Sequence, residues 1–309
     1  MDFRQRTLKT QANCTGIGLH SGEKVDLTIK PAPDNHGIVF VRKDLPGNPA
    51  IRARSENVVD TNLCTSIGKN GSRVSTVEHL MAALFGLGID NARIELDGPE
   101  VPIMDGSAAP FIFLLKNAGI KVQKALKRFI LIKKPFKVSE GNRSVSVRPS
   151  SELKICYTID FQHPLLRNQR YSMCFSAREF VHEISRARTF GFLKDIEILW
   201  ENGLAKGGSL DNAIVIDEFR IVNEDGLRYK DEFVRHKILD FIGDLAILGV
   251  PIIGEFDVEK SGHLLNQHML RTLMESKDYW RAVTFKDREE YLRNNIRIPA
   301  FGSLEPVSA

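Results

Sequence analysis

The chain has 309 residues, 42% of them hydrophobic and 27% charged, with a formal net charge of +4. That length allows two ordinary domains or one large one, and the mild, scattered positive charge argues against a dedicated nucleic-acid binder while favouring an anionic substrate such as a phosphate ester. Four separated cysteines (Cys14, Cys64, Cys156, Cys174) form no CxxC pair, the N-terminus MDFRQRTLKTQ lacks a signal-peptide core, and the apolar run from Ile238 to Ile253 is broken by Asp240, Asp244 and Pro251, so the sequence predicts a soluble cytoplasmic protein with reduced thiols.

The first segment reads as strands and turns, with strands at Val25 to Ile29 and Gly37 to Val41 and a turn at Leu45 to Asn48. A helix begins near Ser75, where Ser75-Thr76-Val77-Glu78 has the form of a capping box, and Gly86 and Gly88 mark its end. A strand at Asn91 to Leu96 and a helix at Ala108 to Ala118 close this unit. Lys121 to Pro135 reads as a basic passage into a second unit. That unit shows strands at Ser144 to Val147, Lys154 to Phe161 and Arg170 to Phe175, helices at Ala177 to Arg188 and Leu193 to Asn202, and a strand at Asn212 to Ile216. A helix from Val234 to Leu248, a strand from Ile252 to Val258 and a helix from Leu264 to about Trp280 complete it. Runs of strands beside runs of helices predict an α+β fold rather than an alternating parallel sheet.

The order hints at a repeat. A shift of 161 positions lays Leu84, Leu87 and Gly88 on Leu245, Leu248 and Gly249, and His79 on Asp240. Two related units facing each other would bring both potential ligands to one cleft, a common place for a ligand site.

The helix from Val234 carries the densest chemistry. His236, Asp240 and Asp244 recur at four-residue steps, while Val234, Ile238, Phe241, Leu245 and Leu248 form an apolar back. A His and an Asp one turn apart can reach one ion; a solvated charged face is the competing reading. Glu78-His79 also has two readings. Glu78 either completes the capping box or stands as a carboxylate base beside a metal-ligating His79. His263, on the turn Lys260-Ser261-Gly262-His263, is placed for Asp244 to hold it cationic. Ser185 to Phe192 is either a core-edge strand or a segment whose Thr189 hydroxyl donates to a developing oxyanion. His182-Glu183 lacks the second histidine of an HExxH helix because Arg186 stands there, so His182 is expected on the surface. His36, His163 and His268 belong to no constellation. There is no P-loop, complete GxGxxG fingerprint or GxSxG elbow.

Val77-Glu78-His79-Leu80, Ile103-Met104-Asp105-Gly106-Ser107-Ala108, Ser185 to Gly191, Asn223 to Arg228, His236 to Asp244 and Lys260 to His263 stand in an order that resembles the UDP-3-O-acyl-N-acetylglucosamine deacetylase family. The likeness runs from Gln5 to the last helix. It implies two similarly built α+β units, 1–126 and 127–309, packed face to face around the active site, each with a small insert. The second insert, about 193–216, would form an apolar passage for an acyl chain, with Ile196, Leu199, Trp200, Ala205 and Leu210 as candidate lining. The resemblance implies a zinc-dependent deacetylase of lipid A biosynthesis, with His79, His236 and Asp240 as zinc ligands and Glu78 as general base. Thr189 would stabilise the oxyanion, and His263, charged by Asp244, would protonate the leaving amine. Phe161 would lie against uracil with Asp160 nearby, Arg143, Lys237 and Lys260 near the diphosphate or sugar, and Phe190 against the substrate. The expected partner is an acylated UDP-N-acetylglucosamine; no nucleic acid and no stable membrane anchor is expected, and a monomer suffices because one chain completes the cleft. A different metal-dependent amidohydrolase and a nucleotide-sugar binding protein without turnover are the competing readings.

Overall fold

The computed structural model describes residues 3–286 and Ile296. Its two largest sheets have the same design. One runs, in spatial order, Ala12–Ile17, Lys24–Pro31, Ala92–Leu96, Ile38–Arg42, Ala50–Arg52. The other runs Phe136–Glu140, Arg143–Arg148, Glu255–Glu259, Lys154–Ile159, Gln169–Cys174. In each, all neighbours are antiparallel except the third and fourth, which are parallel. The strands that read as period-two patterns bury one side: Val25, Leu27 and Ile29 turn inward along Lys24–Pro31, and Ile155, Tyr157 and Ile159 along Lys154–Ile159.

A parallel pair cannot be closed by a hairpin and needs a long crossover. In the first sheet that crossover contains helix α1 (Glu78–Gly86); helix α2 (Ala109–Ala118) follows the sheet's last strand in sequence. In the second sheet the crossover contains the single turn α3 (Ala177–Glu179), helix α4 (Leu193–Glu201) and helix α5 (Glu232–Ala246); helix α6 (His263–Glu275) follows that sheet's last strand in sequence. Every residue of α1 is buried, and so is all of α5 except Arg235 and Lys237. A helix without a wet face must be enclosed by other elements; α1 and α5 pack most extensively on each other, with α2 against α1 and α6 against α5. Their approach is so close that a Cβ on Gly243 would stand 2.2 Å from the Glu78 carbonyl oxygen. Both helices end through a left-handed glycine, Gly88 (φ 69°) and Gly249 (φ 72°), at the two positions that the sequence shift superposes.

The architecture is α+β with mixed sheets, as the element pattern predicts. Several local readings need correction. The capping box does not form: α1 starts at Glu78 with Val77 as its cap and no side-chain capping bond. The Ser75 hydroxyl instead accepts from Ser66 Oγ at 2.9 Å, and Thr76 adopts a left-handed φ of 56°. Lys121 to Pro135 is not a plain passage. It holds most of the strand Ile120–Leu126, which pairs with Arg4–Leu8, and all of Arg128–Ile132, which pairs with Trp280–Thr284. The last helix therefore stops at Glu275, and Trp280 opens a strand. The expected helix Ala177 to Arg188 is one capped turn followed by a π-helix, Phe180–Ile184; the chain then leaves helical geometry so that Arg188 can reach Glu232. The strand Ile252 to Val258 is two strands in two sheets, broken at Gly254. Among the described residues no helix is long and apolar enough to cross a membrane.

Candidate metal and acid–base centre

His79, His236 and Asp240 converge at the α1–α5 contact. Asp240 Oδ1 lies 3.5 Å from His79 Nε2 and 3.3 Å from His236 Nε2. One ligand atom from each of the three falls within 4.8 Å of the others. Tetrahedral zinc with bonds near 2.0–2.1 Å spaces its ligand atoms by about 3.3 Å, so the set has the right scale. All three side chains are buried, which excludes the solvated-face reading of the α5 column.

The protonation pattern also suits a cation. His236 Nδ1–H donates to the Ala187 carbonyl at 3.0 Å, which turns the Nε2 lone pair toward Asp240. Burial drives the His236 pKa down to about 3 despite the pull of Asp240, so the ring is neutral. Burial opposes charge on Asp240, yet the basic groups around it, the Lys237 ammonium at 2.8 Å among them, hold its pKa well below the usual range. Two imidazoles and one carboxylate form a three-ligand set of the kind that catalytic zinc uses. These residues form a metal site whose donors fit zinc.

Glu78 and His263 stand beside the ligands. Glu78 Oε2 accepts from the Thr65 N–H at 3.0 Å, while Oε1 lies 3.9 Å from His263 Nε2. Burial raises the Glu78 pKa, and the charges of His263 and His79 oppose the rise. His263 opens α6, and its Nδ1–H donates to Asp244 Oδ2 at 2.9 Å. Burial works against the imidazolium, but Asp244 outweighs it and lifts the pKa to about 9. Asp244 itself is fully buried and also accepts from Asn266 Nδ2 at 2.8 Å, Gln267 Nε2 at 3.3 Å and the Thr65 hydroxyl at 2.7 Å.

The loop after the π-helix is held by a buried ion pair. Arg188, 2% exposed, reaches Glu232 at 2.9 Å and the Gly226 carbonyl at 2.6 Å, and Arg228 ties Asp105 at 2.8 Å. These contacts join three of the sequence motifs into one scaffold that presents the Ala187 carbonyl to His236. Thr189 follows two residues later, half-buried, its N–H donating to Gly106 O at 2.8 Å. Phe190 stacks edge-on with Phe233 and lies 6.3 Å from the His236 ring.

A cavity of about 420 Å³ runs from Thr189 and Phe190 into the 193–216 segment. Ile196, Leu199, Trp200, Ala205 and Leu210 all line it, together with Leu19, His20 and Leu63 from the first half of the chain. A second cavity of about 780 Å³ lies on the other side of Phe192, lined by Phe161, His163, Lys194 and Asp217. Phe161 packs 5.8 Å from Phe190 and so bridges the second cavity to the metal centre. Lys260 Nζ donates to Asp160 Oδ2 at 2.7 Å, which lowers the Asp160 pKa. Arg143 is exposed at a strand end, where its neighbour Ser144 faces Glu259, the residue before Lys260. Lys237 is turned to the metal ligands: it donates to Asp240 Oδ2 at 2.8 Å and lies 5.8 Å from the Phe190 ring.

His182 and His268 are exposed, as expected for residues outside the site. His163 is a buried pin, its Nε2–H donating to Asp217 O at 2.9 Å. Sequence reasoning passed over His20, Thr65, Glu100 and Gly243. Glu100 is buried and accepts from Thr76 Oγ1, His20 N and Ser21 N, so it ties the entry of α1 to the wall of the apolar cavity. Nothing in local spacing marks these four, because each acts across the chain.

A family model described as LpxC: UDP-3-O-acyl N-acetylglycosamine deacetylase matches residues 5–275. The chain is similar to the UDP-3-O-acyl-N-acetylglucosamine deacetylase of Saccharophagus degradans, 56% identical over 93% of this chain and 95% of the relative. It is likewise similar to those of Myxococcus xanthus, 54% identical over 93% and 91%, and Haemophilus influenzae, 56% identical over 93% and 95%.

Proposed function

The chain belongs to the UDP-3-O-acyl N-acetylglycosamine deacetylase family, and from that premise we propose how its residues divide the work. The reaction is zinc-dependent hydrolysis of the N-acetyl amide of UDP-3-O-acyl-N-acetylglucosamine, giving acetate and UDP-3-O-acyl-glucosamine in lipid A biosynthesis. His79, His236 and Asp240 hold the metal. Zinc bound there supplies Lewis acidity to the amide carbonyl and to an attacking water.

Glu78 takes a proton from the attacking water. Burial raises its pKa, which makes the carboxylate a better base than an exposed one. Its Oε2 is fixed by the Thr65 N–H, leaving Oε1 to face the reaction. The Thr189 hydroxyl donates to the oxygen of the tetrahedral species. His263, cationic at neutral pH because Asp244 lifts its pKa, protonates the departing amine, which leaves poorly without a proton. The observation that carries this reading is the pairing of Glu78 with His263, 3.9 Å apart beside the three ligands: binding alone would need neither an acid nor a base.

Substrate contacts follow from the two cavities. The apolar one takes the acyl chain, through Ile196, Leu199, Trp200, Ala205 and Leu210. The second takes the nucleotide, with uracil against Phe161 and Phe190 at the junction. Asp160, Arg143 and Lys260 meet the polar parts of the nucleotide sugar, and Lys237 serves the diphosphate from beside Asp240. We read the chain as two units, 1–126 and 127–309, facing each other across α1 and α5, each with its insert. The shared sheet order supports this, as does the change of pairing partners between Leu126 and Arg128. One chain then completes the site, so it works as a monomer, in the cytoplasm with its four cysteines free.

The test is acetate release from acylated UDP-N-acetylglucosamine. Removing zinc should abolish it and restoring zinc should return it. Glu78→Gln should lower kcat by roughly 10²–10⁴ with zinc still bound. Full turnover by metal-free protein, or by the Glu78 variant, would sink the reading.

A further inference from the structure

Thr65 lies between the two carboxylates that flank the metal ligands, with all three of its polar groups engaged there. It is fully buried, just before the strand Ser66–Lys69. Its N–H donates to Glu78 Oε2 at 3.0 Å. Its hydroxyl donates to Asp244 Oδ1 at 2.7 Å. Its carbonyl accepts from the N–H of Val77, the cap of α1, at 3.2 Å. Each carboxylate thus has one oxygen fixed by Thr65 and the other turned to the same imidazole: Glu78 Oε1 toward His263 Nε2 at 3.9 Å, Asp244 Oδ2 toward His263 Nδ1 at 2.9 Å.

We propose that Thr65 is a positioning residue for the reaction, whose hydroxyl fixes Asp244, and through it His263, relative to the Glu78 carboxylate that its own N–H holds. The inference rests on the assignment of Glu78 as base and His263 as acid. Without the hydroxyl, Asp244 Oδ1 keeps only the longer bond from Gln267 Nε2 at 3.3 Å. The carboxylate, still held at Oδ2 by Asn266 Nδ2 at 2.8 Å, can then pivot about that contact and carry the imidazole with it. Proton transfer tolerates only about 10–20° of misorientation, so the loss falls on the chemical step rather than on binding. The methyl of Thr65 is buried with the rest of the side chain, and a purely structural role would reside there.

Two variants separate the roles. Thr65→Val keeps the shape and the N–H but removes the hydroxyl; Thr65→Ser keeps the hydroxyl and removes the methyl. With acylated UDP-N-acetylglucosamine and the zinc-loaded enzyme, Thr65→Val should lower kcat by about tenfold or more with KM within about twofold, the scale of one lost hydrogen bond to a charged group. Thr65→Ser should keep about half or more of the wild-type kcat, and in a His263→Ala background Thr65→Val should cost nothing further. The proposal is overturned if Thr65→Val is as active as wild type, if Thr65→Ser is as impaired as Thr65→Val, or if the valine loss persists without His263. Loss of zinc or of the native thermal transition in Thr65→Val would assign the hydroxyl to folding and overturn it too. A wild-type enzyme that releases no acetate from this substrate would instead remove the functional reading beneath it.

Discussion

A carboxylate with no access to water is costly unless its lone pairs are filled, and Asp244 meets that demand with four donors: His263, Asn266, Thr65 and Gln267. The arrangement sets the charge of His263. Its folded pKa, about 9, lies above the ordinary value near 6.5. The stabilising contribution of the pair is therefore complete below about 6.5 and is lost as pH rises through about 9. Activity should follow the same group, since an acid must hold its proton to give it. We expect an alkaline limb in kcat near pH 9 that moves toward neutrality in Asp244→Asn; an unmoved limb would detach Asp244 from the acid. His236, Asp240, Asp244 and His263 were legible in sequence because their spacing or motif shows on one turn or one helix face. Thr65 was not, because its partners lie on α1 and α5, and nothing in its neighbourhood announces a contact with residue 244.

At the scale of elements, the site depends on how closely α1 meets α5. Gly243 stands where the Glu78 carbonyl passes, and a methyl there would meet that oxygen at 2.2 Å. Neither backbone can give way without moving His79 or Asp240. Gly243→Ala should cost about 1–3 kcal/mol of stability through overpacking and weaken zinc retention as well. Thermal unfolding and metal content measure both, and a variant with wild-type values in each would show that the helices can part without consequence. Of the helices that carry the ligands, α5 was legible from its apolar back, and α1 from the glycines at its end and from a capping signature that does not form. The errors fell where a local pattern was outbid by a distant partner. Ser75 looked like a cap until Ser66 and the Pro99 carbonyl claimed it. Residues after Glu275 looked like more helix, yet Trp280–Thr284 has the edge of Arg128–Ile132 to pair with. The strand through Gly254 read as one element because sheet membership leaves no mark in sequence.

Across the whole molecule, the ligand set joins distant parts of one chain: His79 from α1, His236 and Asp240 from α5. Metal bound only by the native arrangement adds to its stability. Stripping zinc should lower the thermal midpoint, and added zinc should raise it in a concentration-dependent way, the folded state gaining about 2.7 kcal/mol when free zinc exceeds its Kd a hundredfold. A midpoint indifferent to zinc would mean that the ion does not bind the folded form selectively. The complete burial of α1 has a further bearing on how the protein is made. Its nine residues include Leu80, Met81, Leu84 and Phe85, and the partner helix that encloses them is encoded half a chain later. At about 5–20 residues per second of synthesis, α1 would wait on the order of ten seconds before α5 leaves the ribosome. During that interval the growing polypeptide holds an uncovered apolar segment, too short to persist as a helix alone, and α1 takes its final form only when the second half arrives.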